Sequence, residues 1–340
     1  MTSTDGARPT NAQYRLAARP VGLPTDNDWQ YTEEPVGELQ AGQFLVEVQY
    51  LSLDPAMRTW MNPGRSYVPP VEIGELMRAA GIGTVRDSQH PDFPVGVTVS
   101  GAFGVQQYAI SDGRGVSTVD TTLAPAPVHL GALGTSGVAA YFGLLDVGKP
   151  QPGQTVVVSA AAGSVGSIAG QIARIKGCRA IGIAGGADKC RFLVEELGFT
   201  AAIDYKTQDV RELLREHAPD GVDVFFDNVG GDILEAVLVR LARGARVVLS
   251  GAVSQYNAPQ PPRGPANYMQ LLVKRASMTG FVSFDYAARY PEAIAELAGW
   301  LRDGSLIGRE HIVEGGITKF PDTLLKLFTG ENTGKLILAL

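Results

Sequence analysis

The stretch TVVVSAAAGSVGSIAG, Thr155 to Gly170, decides the fold. Val156, Val157 and Val158 make a short β-branched run bounded by Gly153 and Gly163, the composition of a fully buried parallel strand rather than of a helix. A glycine-bearing turn follows, and then a helical pattern. Gly163 and Gly166 let a backbone approach a pyrophosphate and a helix pack close to its strand, while the N–H groups opening the helix at about Ser164 face the anion with the helix dipole behind them. Ala161 stands where G-x-G-x-x-G has its first glycine, so the motif alone does not separate a dinucleotide turn from a plain glycine-rich one.

Downstream, apolar runs recur with helical stretches between them: AIGIAGG (180–186), AAIDY (201–205), DVFFDNVGG (223–231), ARVVLSGAVS (245–254) and SMTGFVS (277–283). With the first run these are strand candidates ending in small or polar residues, and their alternation with helices such as Lys189 to Leu197 and Gln208 to His217 predicts βα units on a parallel sheet. Ligands of such sheets bind at the carboxyl ends of the strands. A flavin or an adenylated substrate is the alternative ligand. An NAD site usually carries an acid at the end of the second strand to hold the ribose 2′-hydroxyl, yet here that strand ends Ile183, Ala184, Gly185, Gly186. A 2′-phosphate meets no repulsion there. Lys189 opens the next helix where its ammonium can pair with that phosphate, a solvated surface lysine being its competing reading, and Tyr205 ends the third strand where it can add a hydroxyl or stack on adenine. Asp188 is the awkward neighbour, read as a first-turn carboxylate complementing the helix dipole.

At 340 residues the chain is long enough for two domains, each with its own core. A formal net charge of −6 without any basic run argues against nucleic acid, and no apolar stretch reaches bilayer-spanning length. The opening MTSTDGARPTNAQYRLAARP lacks the apolar core of a secretory signal, which makes a cytoplasmic location the default expectation. Cys178 and Cys190 flank the second strand and read as buried apolar thiols. In the first half, FLVEVQYLSL (44–53), GIGTV (81–85), VGVTVSG (95–101) and VQQYAIS (105–111) are separated by Pro and Gly, as in a small β-barrel. GALGTSGVAAYFGLLDVG (131–148) reads as a helix leading into a Gly-Lys-Pro-Gln-Pro-Gly linker. Phe320 to Gly330 reads as a helix, and Lys335 to Leu340 as a strand returning to the barrel.

These residues carry a resemblance. AAAGSVGSIAGQIARIKGC (160–178), DKCRFLVEELGF (188–199), DGVDVFFDNVGG (220–231), SGAVSQYN (250–257) and ENTGKLILAL (331–340), supported by SLDPAMRTWMN (52–62) and YVPPVEIGE (67–75), resemble the medium-chain dehydrogenase/reductase superfamily. Within it they are similar to the zinc-independent group of leukotriene B4 12-hydroxydehydrogenase/15-oxo-prostaglandin 13-reductase and the alkenal double-bond reductases. The resemblance implies an α/β fold: a GroES-like β-barrel catalytic domain at 1–131, completed by 304–340, and a Rossmann NADP-binding domain at 132–303. It further implies NADP(H), a small enone or enal substrate and a homodimer.

Zinc independence agrees with the residues themselves. Catalytic zinc in alcohol dehydrogenases takes about three protein ligands, commonly Cys and His. The first domain has no Cys, and its His90 and His129 are not in a ligand-spaced cluster. Without a Lewis acid for an alkoxide, conjugate reduction fits better than alcohol oxidation, because hydrogen bonds alone can hold the developing enolate.

By the same carry-over, Gly163, Ser164, Val165 and Gly166 hold the pyrophosphate, Lys189 and Tyr205 the 2′-phosphate end, and Asn228 the region beside the ribose. Ser250, Gly251, Ala252 and Val253, with Phe281, Val282, Ser283 and Asn332, line the nicotinamide half. Tyr256 lies near the nicotinamide ribose, where its phenol donates to the substrate carbonyl oxygen as the catalytic group; the competing reading is a tyrosine that only supports the cofactor. An NADPH quinone oxidoreductase and a non-catalytic NADPH-binding protein are the rival functions. The chain departs from the family at Ala56, where an aromatic residue often follows Asp-Pro, and at Leu76 to Ala80, where a Gly-rich segment is usual. Met57, Met61, Tyr67 and Phe284 are read as apolar pocket lining, with a place in the core as the competing reading of each.

Overall fold

A computed structural model describes residues 8–64, 66–260 and 264–340. The first seven residues of the amino-terminal segment discussed above lie outside the described residues. The chain divides into two compact units. The first comprises the described residues through Leu130 with Ile312–Leu327 and Leu336–Leu340; the second is Gly131–His311 with Phe328–Lys335. This corrects the expectation that 304–340 belongs wholly with the barrel. The segment Phe328–Lys335 is bound to the second unit by backbone bonds, Gly334 N–H to Ala162 O at 2.7 Å and Lys335 N–H to Arg309 O at 2.8 Å.

In the second unit the six apolar runs form one parallel sheet. Its order is Ala201–Asp204, Arg179–Ala184, Thr155–Ser159, Val222–Asp227, Leu241–Leu249, Ser277–Gly280. Thr155–Ser159 lies centrally, paired with Arg179–Ala184 on one side and Val222–Asp227 on the other, and every residue of it is buried. That is why its sequence is apolar without alternation. The strand order reverses between this strand and Val222–Asp227, the kind of switch point at whose carboxyl ends open parallel sheets bind their ligands. Helix Ser164–Ile175 buries Ile168, Ala169, Ile172 and Ala173. The stretch read as one helix from Lys189 begins earlier, as Ala187–Arg191, and widens into a π-helical turn over Phe192–Glu196.

In the first unit, Phe44–Ser52 pairs antiparallel with Gly81–Ser88, Tyr108–Ser111 and the carboxyl-terminal strand Lys335–Ala339. Thr10–Leu16 and Trp29–Pro35 form a further antiparallel pair that the hydrophobic pattern did not suggest. Phe320, which opens helix Phe320–Thr329, packs its ring 5.0 Å from Trp29 and 5.4 Å from Tyr14. Met57 and Met61 are fully buried, which agrees with the core reading of the two given above. Tyr67 and Phe284 are exposed. Cys178 is buried, but Cys190 is only half-buried, and neither forms a disulfide. No helix among the described residues is long and apolar enough to cross a membrane.

Candidate dinucleotide site

The site is built at the carboxyl end of Thr155–Ser159. After Ser159 the chain turns through Ala160, whose φ of 46° is the left-handed conformation that costs a non-glycine residue about 1–2 kcal/mol. Ala161, which replaces the first glycine of G-x-G-x-x-G, is therefore adjacent to, not at, the strained position. Gly163 N–H donates to Ala160 O at 2.9 Å and Gly163 caps helix Ser164–Ile175. A Cβ on Gly166 would lie 2.4 Å from Ala160 O and 2.9 Å from Ala161 Cα, so only glycine lets the first helical turn rest on this loop. Val165 and Ser164 are half-buried, and Ser164 Oγ is buried without a hydrogen-bond partner among the described residues. No acidic side chain occupies the first helical turn. An orphaned hydroxyl, a glycine-lined turn and the positive end of a twelve-residue helix converge where a pyrophosphate fits. Gly334 bridges Gly163, and Asn332 Nδ2 donates to Gly334 O at 3.1 Å, which places Asn332 beside this turn.

The second strand itself ends without an acid, and the Asp204 carboxylate from the neighbouring strand is taken up by backbone and hydroxyl donors there. Asp204 Oδ1 accepts Gly186 N–H at 2.7 Å and Lys206 N–H at 3.1 Å, and Oδ2 accepts the Thr207 hydroxyl at 2.8 Å. These donors, the Gly186 N–H foremost, hold its pKa below the usual carboxylate range. Asp188, the awkward neighbour, pairs instead with Arg191. Lys189 Nζ donates to Gly330 O at 2.7 Å, and burial together with the Lys206 ammonium pushes its pKa down. A Cβ on Gly185 would lie 2.9 Å from Lys206 Cε and 3.0 Å from the Tyr205 hydroxyl, so both side chains close over the Gly185 backbone. The sequence reading picked out Lys189 and Tyr205 and passed over Lys206. Its signal was its place directly after Tyr205 at a strand end.

The remaining residues gather around Val222–Asp227. Asp227 is fully buried, and burial raises its pKa although Ser159 Oγ donates to it at 2.7 Å and the Val229 and Gly230 N–H groups donate at 3.0 and 3.1 Å. Asn228, expected beside the ribose, donates its side-chain amide to Ser159 O at 2.8 Å and so ties the two central strand ends together. Ser250 and Gly251 N–H groups donate to Asp227 O at 2.8 and 3.1 Å, and Val253 N–H to Asn228 O at 3.1 Å. This stacks the SGAVSQYN segment on the DNVGG turn. Tyr256 folds back so that its hydroxyl accepts Ala252 N–H at 3.1 Å and sits 3.0 Å from where a Gly251 side chain would begin. Phe281 places its ring 6.4 Å from that of Phe226.

Two family models match the chain: one described as the N-terminal domain of oxidoreductase over residues 12–119, the other as zinc-binding dehydrogenase over 164–299. The chain is 40% identical to the NADPH-dependent curcumin reductase of Escherichia coli, over 96% of each chain. It is 34% identical to the NADP(+)-dependent 2-alkenal reductase of Nicotiana tabacum, over 96% of this chain and 97% of that one. A crystal structure of CurA from Vibrio vulnificus in complex with NADPH matches it with a TM-score of 0.91 and 43% identity, over 96% of this chain and 98% of that one.

Proposed function

Because this chain belongs to the medium-chain dehydrogenase/reductase superfamily, in the group of the prostaglandin and alkenal double-bond reductases, we propose that it reduces the conjugated C=C bond of small α,β-unsaturated aldehydes and ketones with NADPH. The observation that carries the cofactor choice is that the second strand itself ends without an acid where Lys189 and Tyr205 stand, while Asp188 pairs with Arg191 and the Asp204 carboxylate is taken up by Gly186 N–H and the donors of its own turn. NADPH supplies the hydride, which goes to the β carbon. Ser164 and the Gly163–Gly166 turn hold the pyrophosphate, and Asn228 and Ser250 to Val253 shape the nicotinamide half together with the Phe281–Ser283 backbone and Asn332. Tyr256 donates its O–H to the substrate carbonyl oxygen, and the charge arriving there in the transition state strengthens that bond.

This chemistry needs no metal. Residues 1–130 contain no cysteine, His90 Nδ1 accepts Asp92 N–H at 3.1 Å as a turn cap, and the described residues contain no cluster of three or more His, Cys, Asp or Glu able to hold an ion.

The cofactor assignment has a direct test. Lys189→Ala is expected to weaken NADPH binding by about 1.5–3 kcal/mol, the worth of a charge-assisted hydrogen bond, and to leave NADH binding unchanged in a fluorescence titration. Equal losses for both cofactors, or a wild type that prefers NADH, would place the phosphate elsewhere.

The protein acts as a homodimer in this reading. Helix Met269–Lys274, beside the edge strand Ser277–Gly280, exposes Met269, Leu272 and Val273, with Leu272 70% exposed. An apolar face next to an unpaired sheet edge favours burial against a second copy. Light scattering should give twice the chain mass for the wild type and the single mass for Leu272→Asp. A monomeric wild type contradicts the dimer.

A further inference from the structure

The clearest feature that the reading above leaves without a role is Lys206. It is an exposed lysine whose side chain passes over the backbone of Gly185. Its Cε comes within 2.9 Å of the Cβ position of Gly185, at the carboxyl end of the second strand, beside the Tyr205 hydroxyl. The turn that carries it is fixed: Asp204 accepts the Lys206 N–H itself, the Gly186 N–H and the Thr207 hydroxyl, while Asp204 N–H donates to Gln208 Oε1 at 2.8 Å. Lys189 reaches the same region from the following helix and is steadied from behind by Gly330 O. Among the described residues neither lysine forms an ion pair, and the Lys206 charge is felt at Lys189, whose pKa it helps to lower. The Asp204 carboxylate, engaged by the donors of its own turn, offsets part of the Lys206 charge, the repulsion between the two ammonium groups remains, and a ligand carrying two negative charges relieves it.

We propose that Lys206 is a second specificity-determining cation for the 2′-phosphate of NADPH, forming with Lys189 a two-ammonium clamp matched to a phosphate dianion. The inference rests on the NADPH reading above and adds a residue to it. Gly185 is part of the arrangement, since any side chain there would displace Lys206 and Tyr205. Each ammonium carries three donors, and one Lys189 donor is taken by Gly330 O, so a second lysine raises the number of charged donors that a single phosphate can meet.

The test compares wild type, Lys206→Gln, Lys189→Ala and the double variant by titration with NADPH, NADH and adenosine 2′,5′-bisphosphate, which carries the phosphate without the nicotinamide. Lys206→Gln removes the charge and keeps the length of the chain on an exposed residue, so it folds. Its expected effect is a loss of roughly 5- to 20-fold for NADPH and for the bisphosphate, the worth of one charge-assisted contact partly exposed to water, with NADH within about twofold of wild type. In the double variant the losses should not multiply, because both residues act on one phosphate. Unchanged NADPH affinity in Lys206→Gln alongside a loss in Lys189→Ala overturns the clamp and leaves the NADPH reading standing. Equal losses for NADPH and NADH overturn it too, by making Lys206 a support of the turn. A wild type that prefers NADH removes the reading on which the clamp rests.

Discussion

Tyr256→Phe should lower kcat and kcat/KM together, by roughly 10- to 1000-fold, the range for losing one donor to a developing oxyanion. The phenylalanine keeps the ring and its packing and deletes only the hydroxyl. That hydroxyl has two tasks in our account: it accepts Ala252 N–H at 3.1 Å, and it donates to the substrate carbonyl. Losing the first leaves a backbone N–H in need of water and costs about 1 kcal/mol at most, so NADPH affinity should shift no more than a few-fold. Loss of the second appears only in the transition state. The cofactor ribose hydroxyl remains as another donor, and turnover should therefore fall without vanishing. A variant with unchanged kcat, or with its defect wholly in NADPH affinity, would reduce Tyr256 to a prop for the Ala252 loop.

The second large effect belongs to Gly166. An alanine there places Cβ 2.4 Å from Ala160 O, a backbone atom that cannot swing aside, so either the helix or the turn must move. Overpacking of this kind costs about 1–3 kcal/mol or more. The displaced groups are the helix N-terminus and Ser164, so NADPH affinity should drop by about 100-fold or more, with a lowered Tm. Ala160→Gly is the informative contrast. It relieves a left-handed residue at φ 46° and should retain both affinity and stability. Normal NADPH binding by Gly166→Ala would mean that the turn is not the phosphate cradle.

The nucleotide unit was legible because its strands are buried on both faces and so appear as uninterrupted apolar runs; Thr155–Ser159 is buried at every position. The pair Thr10–Leu16 and Trp29–Pro35 was not. Asn11 and Gln13 sit in the first of these strands and are buried, which breaks the apolar pattern, and their burial makes sense only through distant partners. Asn11 Nδ2 donates to Gln106 Oε1 at 2.9 Å and its Oδ1 accepts Tyr108 N–H at 2.9 Å. Met57 and Met61 stay ambiguous in the sequence for the converse reason, since an apolar side chain looks the same whether it lines a pocket or fills a core. At the site, the missing acid after Ala184 could be read directly. The engagement of Asp188 with Arg191 and of Asp204 with the Gly186 turn could not, because both depend on side-chain direction. Lys206 was passed over for the same reason. A lysine after a strand usually points into water, and only the fold brings this one back over Gly185.

The central claim is NADPH-dependent reduction of a conjugated C=C bond without metal. Its most direct test follows NADPH absorbance with protein dialysed against a chelator, offered 2-alkenals, enones, quinones and saturated ketones, and identifies the products by mass and NMR. We expect enals and enones to be the best substrates, with the saturated aldehyde or ketone as product and with full activity after chelation. Preferred turnover of saturated ketones, activity restored only by zinc, quinones as the best acceptors, or bound NADPH with no turnover of any of them would contradict it.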